Sequence, residues 1–307
     1  MKAVVIHRYG DRNELKISRL PKPVPRADEV LIKIVATSVN PVDWKARKGL
    51  LQSQRNFPFP LILGWDVSGV VEEVGSNVTK WKVGDEVYCL PDLTRNGSYA
   101  EYIAVDEEYV ALKPKNVSHV EAASLPLVGL TAWQSLVETA QLKKGERVLI
   151  HAGAGGVGSF AIQLAKKLGA YVYTTTSSRN HSFVKNIGAD EVIDYQVEDF
   201  TEKVKEVDVV FDTVGGEVYR KSGLVLNEGG RLISILEPSR DNHEARKISK
   251  LYVSVYPNGK QLAQISDLVE KNEIKPLVNQ VYTLEEIASA HKEIETGHTC
   301  GKIAIRI

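Results

Sequence analysis

The sequence predicts an α/β protein in two parts, a β-rich domain and a doubly wound parallel sheet. Three observations carry that reading. The stretch Glu146–Gly169 reads E-R-V-L-I-H-A-G-A-G-G-V-G-S-F-A-I-Q-L-A-K-K-L-G, an apolar run, a glycine turn and then a helical period. Strand-like and helix-like segments alternate around it, which implies parallel pairing. The first 122 residues hold many short apolar runs separated by glycines, as in a barrel-like β domain.

Taken in order, Ala3–Ile6, Glu14–Ser18 and Val30–Ala36 read as strands. Pro21, Pro23 and Pro25 argue for an extended connection before the third. Trp65–Val74, Glu86–Tyr88, Ser98–Val105 and Val110–Lys113 continue the pattern, with Gly64, Gly69, Gly75, Gly84 and Gly97 at turns or bends. Val120–Leu125 and Leu130–Thr139 read as helices with Pro126 between them.

Val148–Ile150 opens the sheet of the second part. In the helix after it, Val157, Phe160, Ala161, Leu164, Ala165 and Leu168 form one face, and Gly169 supplies the stop. Tyr171–Thr176, Glu191–Asp194, Val207–Asp212, Arg231–Leu236 and Leu251–Tyr256 follow as strands, with a short helix Asn180–Ile187 closed by Gly188. Gly259–Lys271 and Leu284–Thr296 read as helices, and Leu277–Tyr282 as a strand. The last strand, Lys302–Ile307, has no room in a six-stranded sheet and is expected to return to the first domain. The expected division is residues 1–122 and 275–307 against 123–274.

Gly153-x-Gly155-x-x-Gly158 sits between a strand and a helix, the context in which such glycines bind a dinucleotide. The backbone must approach a pyrophosphate closely, and the helix N-terminus offers free N–H groups to the anion. The end of the next strand selects the cofactor. An NAD site usually carries an acid there. This chain has Thr174–Thr175–Thr176–Ser177–Ser178–Arg179, whose hydroxyls and guanidinium suit a 2′-phosphate, so NADPH is expected.

Lys plus Arg equals Asp plus Glu at 39 each, which gives no reason to expect nucleic acid or an anionic membrane as partner. No apolar segment is long enough to span a bilayer. The N-terminal apolar run is too short for a signal peptide, and only two cysteines, Cys89 and Cys300, are present. A cytoplasmic location is therefore expected.

Several motifs converge on one family. They are S-V-N-P-V-D-W-K (Ser38–Lys45), L-G-W-D-V-S-G-V-V (Leu63–Val71), V-G-D-E-V (Val83–Val87), G-S-Y-A-E-Y (Gly97–Tyr102), L-P-L-V-G-L-T-A-W (Leu125–Trp133), H-A-G-A-G-G-V-G, G-A-D-E-V-I-D-Y (Gly188–Tyr195) and G-K-I-A-I (Gly301–Ile305). The chain resembles the medium-chain dehydrogenase/reductase superfamily over essentially its whole length, within it the zinc-free quinone oxidoreductases and enone reductases. The resemblance implies a GroES-like catalytic domain and a Rossmann domain, with the cofactor in the cleft between them. Zinc members carry an early catalytic cysteine and a G-H-E motif, where this chain has no cysteine near Asn40–Asp43 and reads Gly64-Trp65-Asp66. No zinc is expected.

The resemblance also implies site residues. Asn40 is expected to contact nicotinamide or substrate, and Lys45 to donate to the carbonyl oxygen as it gains charge; the alternatives are a turn-forming Asn before Pro41 and a solvated surface lysine. Thr131 falls near the nicotinamide. Gly155, Gly156 and Val157 fall at the pyrophosphate, within the turn that Gly153 and Gly158 bound. Ser177, Ser178 and Arg179 fall at the 2′-phosphate, Tyr195 against the adenosine, and Val214 and Gly215 on the adenine or ribose side. Relatives often have lysine where this chain has Asn180. Asp43 and Asp66 read as structural acceptors, and His151 as a buried, paired histidine.

The expected activity is hydride transfer from NADPH to quinones or to the C=C bond of α,β-unsaturated carbonyls, meaning enones and enals. A cofactor-binding protein with little turnover is the second reading, and an alcohol dehydrogenase the third. The L-Y-V-S-V-Y run of Leu251–Tyr256 is expected to be an edge strand through which a homodimer forms.

Overall fold

A computed structural model describes residues 1–52, 57–236 and 247–307, which divide into two compact units. The first unit holds Met1–Leu130, Tyr256–Asn272 and Pro276–Ile307; the second holds Thr131–Val255 and Glu273–Lys275.

The first unit begins with strands β1 (Lys2–Ile6) and β2 (Lys16–Arg19). Next come β3 (Glu29–Val39), helix α1 (Pro41–Arg47), β4 (Leu61–Ile62), β5 (Val67–Val74), β6 (Glu86–Cys89), β7 (Tyr102–Asp106) and β8 (Val110–Leu112). β1 lies between β2 and β4 in a small antiparallel sheet. β3 is the spine of the larger sheet, pairing with β5 and β7, and all but two of its residues are buried. The expected strand Ser98–Val105 is strand only from Tyr102. Ser98 and Tyr99 instead donate their N–H groups to Gly64 and Leu63, which pins them below the strand start. The short helix α2 (His119–Ala122) leads to α3 (Pro126–Trp133). Pro126 opens α3 rather than dividing two helices, since its fixed φ suits a first helical turn and its missing N–H is not needed there.

The second unit has one parallel sheet of β9 (Arg147–Ile150), β10 (Tyr171–Thr176), β11 (Glu191–Asp194), β12 (Val207–Asp212), β13 (Leu226–Ser234) and β14 (Ser249–Tyr252). Its order is β11-β10-β9-β12-β13-β14, so the chain reverses direction between β9 and β12. That reversal is where ligands settle, beyond the carboxyl ends of the strands. Helices α4 (Gly156–Lys167), α5 (His181–Asn186), α6 (Phe200–Lys203) and α7 (Gly216–Ser222) connect the strands. Leu149, Val210, Leu232 and Tyr173 share one core with Val204 and Val225. Truncating a fully buried leucine such as Leu232 to alanine costs about 2–5 kcal/mol. The sixth strand lies at Ser249–Tyr252, a little before the expected Leu251–Tyr256. Of the segment Leu236–Lys250, residues 237–246 lie outside the described residues.

Helix α8 (Gly259–Glu270), β15 (Val278–Thr283), α9 (Ile287–Ile294) and β16 (Lys302–Arg306) complete the chain. β16 pairs antiparallel with β3, so the last strand closes the first unit. The placement of the 259–271 helix with the dinucleotide fold needs correction. α8 packs on the first unit, where Tyr88 donates to the Leu262 carbonyl at 2.6 Å. A Cβ at Gly259 would meet the Val110 carbonyl oxygen at 2.4 Å, so only glycine lets the helix start this close to β8.

Candidate active site

In the second unit, backbone makes the site. A Cβ at Gly153 would stand 2.0 Å from Thr174 Oγ1, and one at Gly158 would stand 2.3 Å from the Ala152 carbonyl. These glycines are required by the packing of turn, strand and helix. Gly155 is different. It has φ −72° and an added Cβ would meet only the Ala152 oxygen, at 3.4 Å. The chain itself does not require glycine there, which suits a position that a ligand must approach. Gly155 is the N-cap of α4, and no side chain caps that end. The N–H groups of Gly156, Val157 and Gly158 lie in its first turn, where the helix has no acceptors for them. Four glycine-turn residues and a helix dipole thus fit a pyrophosphate.

The neighbouring strand ends complete this side. Ser177 is buried, while Ser178 and Arg179 are exposed. The Ser178 N–H donates to the Asp194 carboxylate at 3.1 Å. Asp194 closes β11 and also accepts from the Gln196 N–H, so an acid does stand beside this strand end. Sequence reading missed it because it lies one strand over, in register with Thr176. Tyr195 follows and is 53% exposed. After β12, the buried Asp212 accepts from the N–H groups of Val214 and Gly215 and holds the turn. Gly215 has φ +79°, which favours glycine. His151 is buried, with Nδ1 3.1 Å from Thr175 Oγ1 and Nε2 3.0 Å from Ser222 Oγ. Burial lowers its pKa to about 4, as expected of a neutral structural histidine. Thr131 is buried on α3.

In the first unit, side chains make the site. α1 starts at Pro41, and the Asp43 carboxylate accepts from the Asn40 N–H at 2.8 Å. The Asn40 side chain turns inward. Its Nδ2 donates to Asp66 at 2.7 Å, its Oδ1 accepts from Lys302 Nζ, and the residue is 1% exposed. The amide of Asn40, expected at nicotinamide or substrate, is thus held by two buried charged groups. Asp66 is bound further by Ser38 Oγ, by Lys302 at 3.3 Å and by the Leu127 N–H at 2.7 Å. Burial lowers the pKa of Lys302, against the opposing pull of Asp66 and Asp43.

A second chain of bonds holds the other end of α1. Arg47 Nη1 lies 2.7 Å from His291 Nδ1, and Arg47 Nη2 donates to Glu295 at 2.8 Å. Arginine has no acceptor, so His291 Nδ1 accepts and Nε2 carries the proton. That N–H points to Tyr99 Oη at 3.2 Å, and Tyr99 in turn donates to Asp43 at 2.7 Å. Burial lowers His291 to about 3 and raises Asp43 to about 7. Lys302, Ser38, Tyr99 and His291 carried no local signal in the sequence, since their partners are remote along the chain.

Between these two anchors, α1 presents Trp44 and Lys45. Lys45 is partly buried, with its ammonium 5.9 Å from the centre of the Trp44 ring. Burial lowers its pKa, and among the described residues it has no hydrogen-bonded anion. A cation held without a counter-ion suits a site where negative charge develops. Trp65, by contrast, is fully buried against Phe57, with ring centres 6.0 Å apart.

Comparison with known proteins is consistent along the chain. Residues 26–115 match the family model described as "Alcohol dehydrogenase GroES-like domain", and residues 187–305 the one described as "Zinc-binding dehydrogenase". The chain is 39% identical to a 2-methylene-furan-3-one reductase of Solanum lycopersicum, over 99% of this chain and 79% of that one. It is 38% identical, with the same coverage, to a chloroplastic NADPH-dependent alkenal/one oxidoreductase of Arabidopsis thaliana. Among solved structures, a quinone oxidoreductase of Coxiella burnetii superposes with a TM-score of 0.93 at 36% identity, over 100% of this chain and 99% of that one.

Proposed function

Since the chain belongs to the medium-chain dehydrogenase/reductase superfamily, we propose that it is an NADPH-dependent oxidoreductase acting on quinones and on the C=C bond of α,β-unsaturated carbonyls. The observation that carries this is its high identity, along nearly its whole length, to relatives named for alkenal, enone and quinone chemistry. When bound, NADPH supplies a hydride.

The chain's own residues hold the reactants and balance charge. Gly153, Gly155, Gly156, Val157 and Gly158 grip the pyrophosphate through backbone N–H groups and the start of α4. Ser177, Ser178 and Arg179 take the 2′-phosphate, with Tyr195, Val214 and Gly215 around the adenosine and Thr131 toward the nicotinamide. Lys45 donates to the carbonyl oxygen of the acceptor as it becomes negative. Its lowered pKa makes it a readier donor than an ordinary ammonium. The proton added at carbon is drawn from water. The test is NADPH and NADH consumption with 1,4-benzoquinone, 9,10-phenanthrenequinone and a short alkyl enone. Turnover preferring NADPH supports the assignment; turnover preferring NADH overturns the cofactor.

We read the enzyme as zinc-independent, although one matching family model is named for zinc. Asp66, at the position of the zinc members' G-H-E acid, is engaged by Lys302, and Trp65 replaces the imidazole. Elemental analysis finding one zinc per chain would contradict this. β14 ends its sheet with Leu251 and Tyr252 partly exposed, which supports a homodimer through that edge. Light scattering at the mass of one chain would remove it. The presence of only two cysteines, Cys89 and Cys300, in the sequence supports a reducing, cytoplasmic compartment. Fractionation that placed the protein in an oxidising compartment would contradict that location.

A further inference from the structure

Asp66 touches more of the site's framework than any candidate residue named so far. Through Oδ2 it meets Ser38, Asn40 and Lys302; through Oδ1 it caps the start of α3 at the Leu127 N–H. Asn40 is the N-cap of α1, which carries Lys45. α3 carries Thr131 one turn further on. Two helices that present site residues therefore begin on one buried carboxylate.

Lys302 is the counter-ion. Its three donors are all used, on Asn40 Oδ1, the Val39 carbonyl at 3.1 Å and Asp66. It is 5% exposed and has no hydrogen left for a substrate. Its charge is spent inside the protein, on holding the Asn40 amide in one of its two orientations. With Lys302 donating to Oδ1, Nδ2 must face Asp66.

We propose that Asp66 and Lys302 form a positioning pair that sets the starts of α1 and α3 together, and so fixes Lys45 for the hydride-transfer reaction. This rests on the function proposed above. Neither residue touches substrate or cofactor; both act through the helices they hold.

The test is Lys302→Met, Lys302→Arg and the double variant Asp66→Asn/Lys302→Met, assayed with NADPH and an alkyl enone. Lys302→Met leaves a buried carboxylate unpaired and should lower both melting temperature and kcat, the latter by about tenfold or more. Lys302→Arg should recover much of kcat. The double variant buries no orphan charge, so it should regain stability while kcat stays low. A double variant that regains kcat with its stability, or a folded Lys302→Met with wild-type kcat, overturns the proposal. Should Lys302→Met fail to fold, the other two variants decide it.

A second readout needs no turnover, and so separates failure of this inference from failure of the proposed activity. The pH midpoint for acetylation of Lys45 by an N-hydroxysuccinimide ester, followed by peptide mass, should rise in the double variant as the helix shifts and Lys45 is solvated. An unchanged midpoint counts against the positioning role.

Discussion

The candidate residues of the first unit and those of the second are held by opposite materials. In the second unit, the proposed pyrophosphate cradle consists of backbone N–H groups and of side chains that are missing. Its glycines let turn, strand and helix close up, and Gly155 leaves open space in front of the α4 N-terminus. In the first unit, α1 is held by side chains in excess: Asp43, Asp66, Lys302, Arg47, Tyr99 and His291 are all buried and all bonded. The turn leaves room for an anion because no side chain stands in front of the helix start. The α1 platform carries a cation, Lys45, on a layer of buried side chains bonded to one another. The glycine turn should therefore fail when a carbon is added, and the α1 platform when a charge is removed.

The largest effect is expected at Gly155. Gly155→Ala should keep the fold, since the added carbon meets only one oxygen at 3.4 Å, yet weaken NADPH binding by about 100-fold. Gly158→Ala is the contrast. Its Cβ would meet Ala152 O at 2.3 Å and Gly153 Cα at 2.8 Å, so it should lose stability as well. Fluorescence titration with NADPH beside thermal melts separates the two. Equal melting losses in both variants would break the distinction between glycines that serve packing and one that serves the ligand.

A smaller effect is expected at Arg179. A charge-assisted contact to a 2′-phosphate is worth about 1.5–3 kcal/mol, so Arg179→Ala should weaken NADPH by about tenfold or more and leave NADH unchanged. Equal losses for both cofactors would remove Arg179 from the 2′-phosphate.

The smallest effect is a slope with pH. His151 and His291 have folded pKa values of about 4 and about 3, below their ordinary 6.5, so below that value the unfolded chain takes up two protons the native state refuses. Asp43 runs the other way. Raised to about 7 from 3.8, it holds one proton in the native state that the unfolded chain has released. Between about pH 4.5 and 6 the balance is two minus one, and stability should fall with falling pH by about 1.4 kcal/mol per unit. Denaturant melts at pH 5 and 6 measure it, and His151→Gln should flatten the slope. A slope that is flat in the wild type would mean the three groups do not titrate as their burial requires.

The same contrast explains what could be read from the sequence. The cradle is local: Gly153 through Gly158 lie within one turn, and the strand end that selects the cofactor follows directly in the next strand. Position in sequence was close to position in space. β9, β10, β11 and β12 were legible for the same reason, whereas β13 and β14 start before the runs expected for them. The α1 platform was not legible. Asn40 and Lys302 are 262 residues apart, and Arg47 and His291 are 244 apart. A lysine inside the apolar G-K-I-A-I run gives no sign that it is buried, and nothing beside Asn40 in the sequence shows which groups hold its amide. α8 was misplaced for a related reason: its helical period was plain, but the surface it packs on is set by Tyr88 and by Val110, which Gly259 approaches closely, and both lie far from the helix in sequence.

The most direct measurement compares wild type and Lys45→Ala reducing a short alkyl enone with NADPH, with the product identified. The account predicts that the wild type yields the saturated ketone, and that the variant binds NADPH normally while kcat falls by about 100-fold. An allylic alcohol as product, or a variant with unchanged kcat, would contradict the assignment of Lys45 as the group that meets the developing charge.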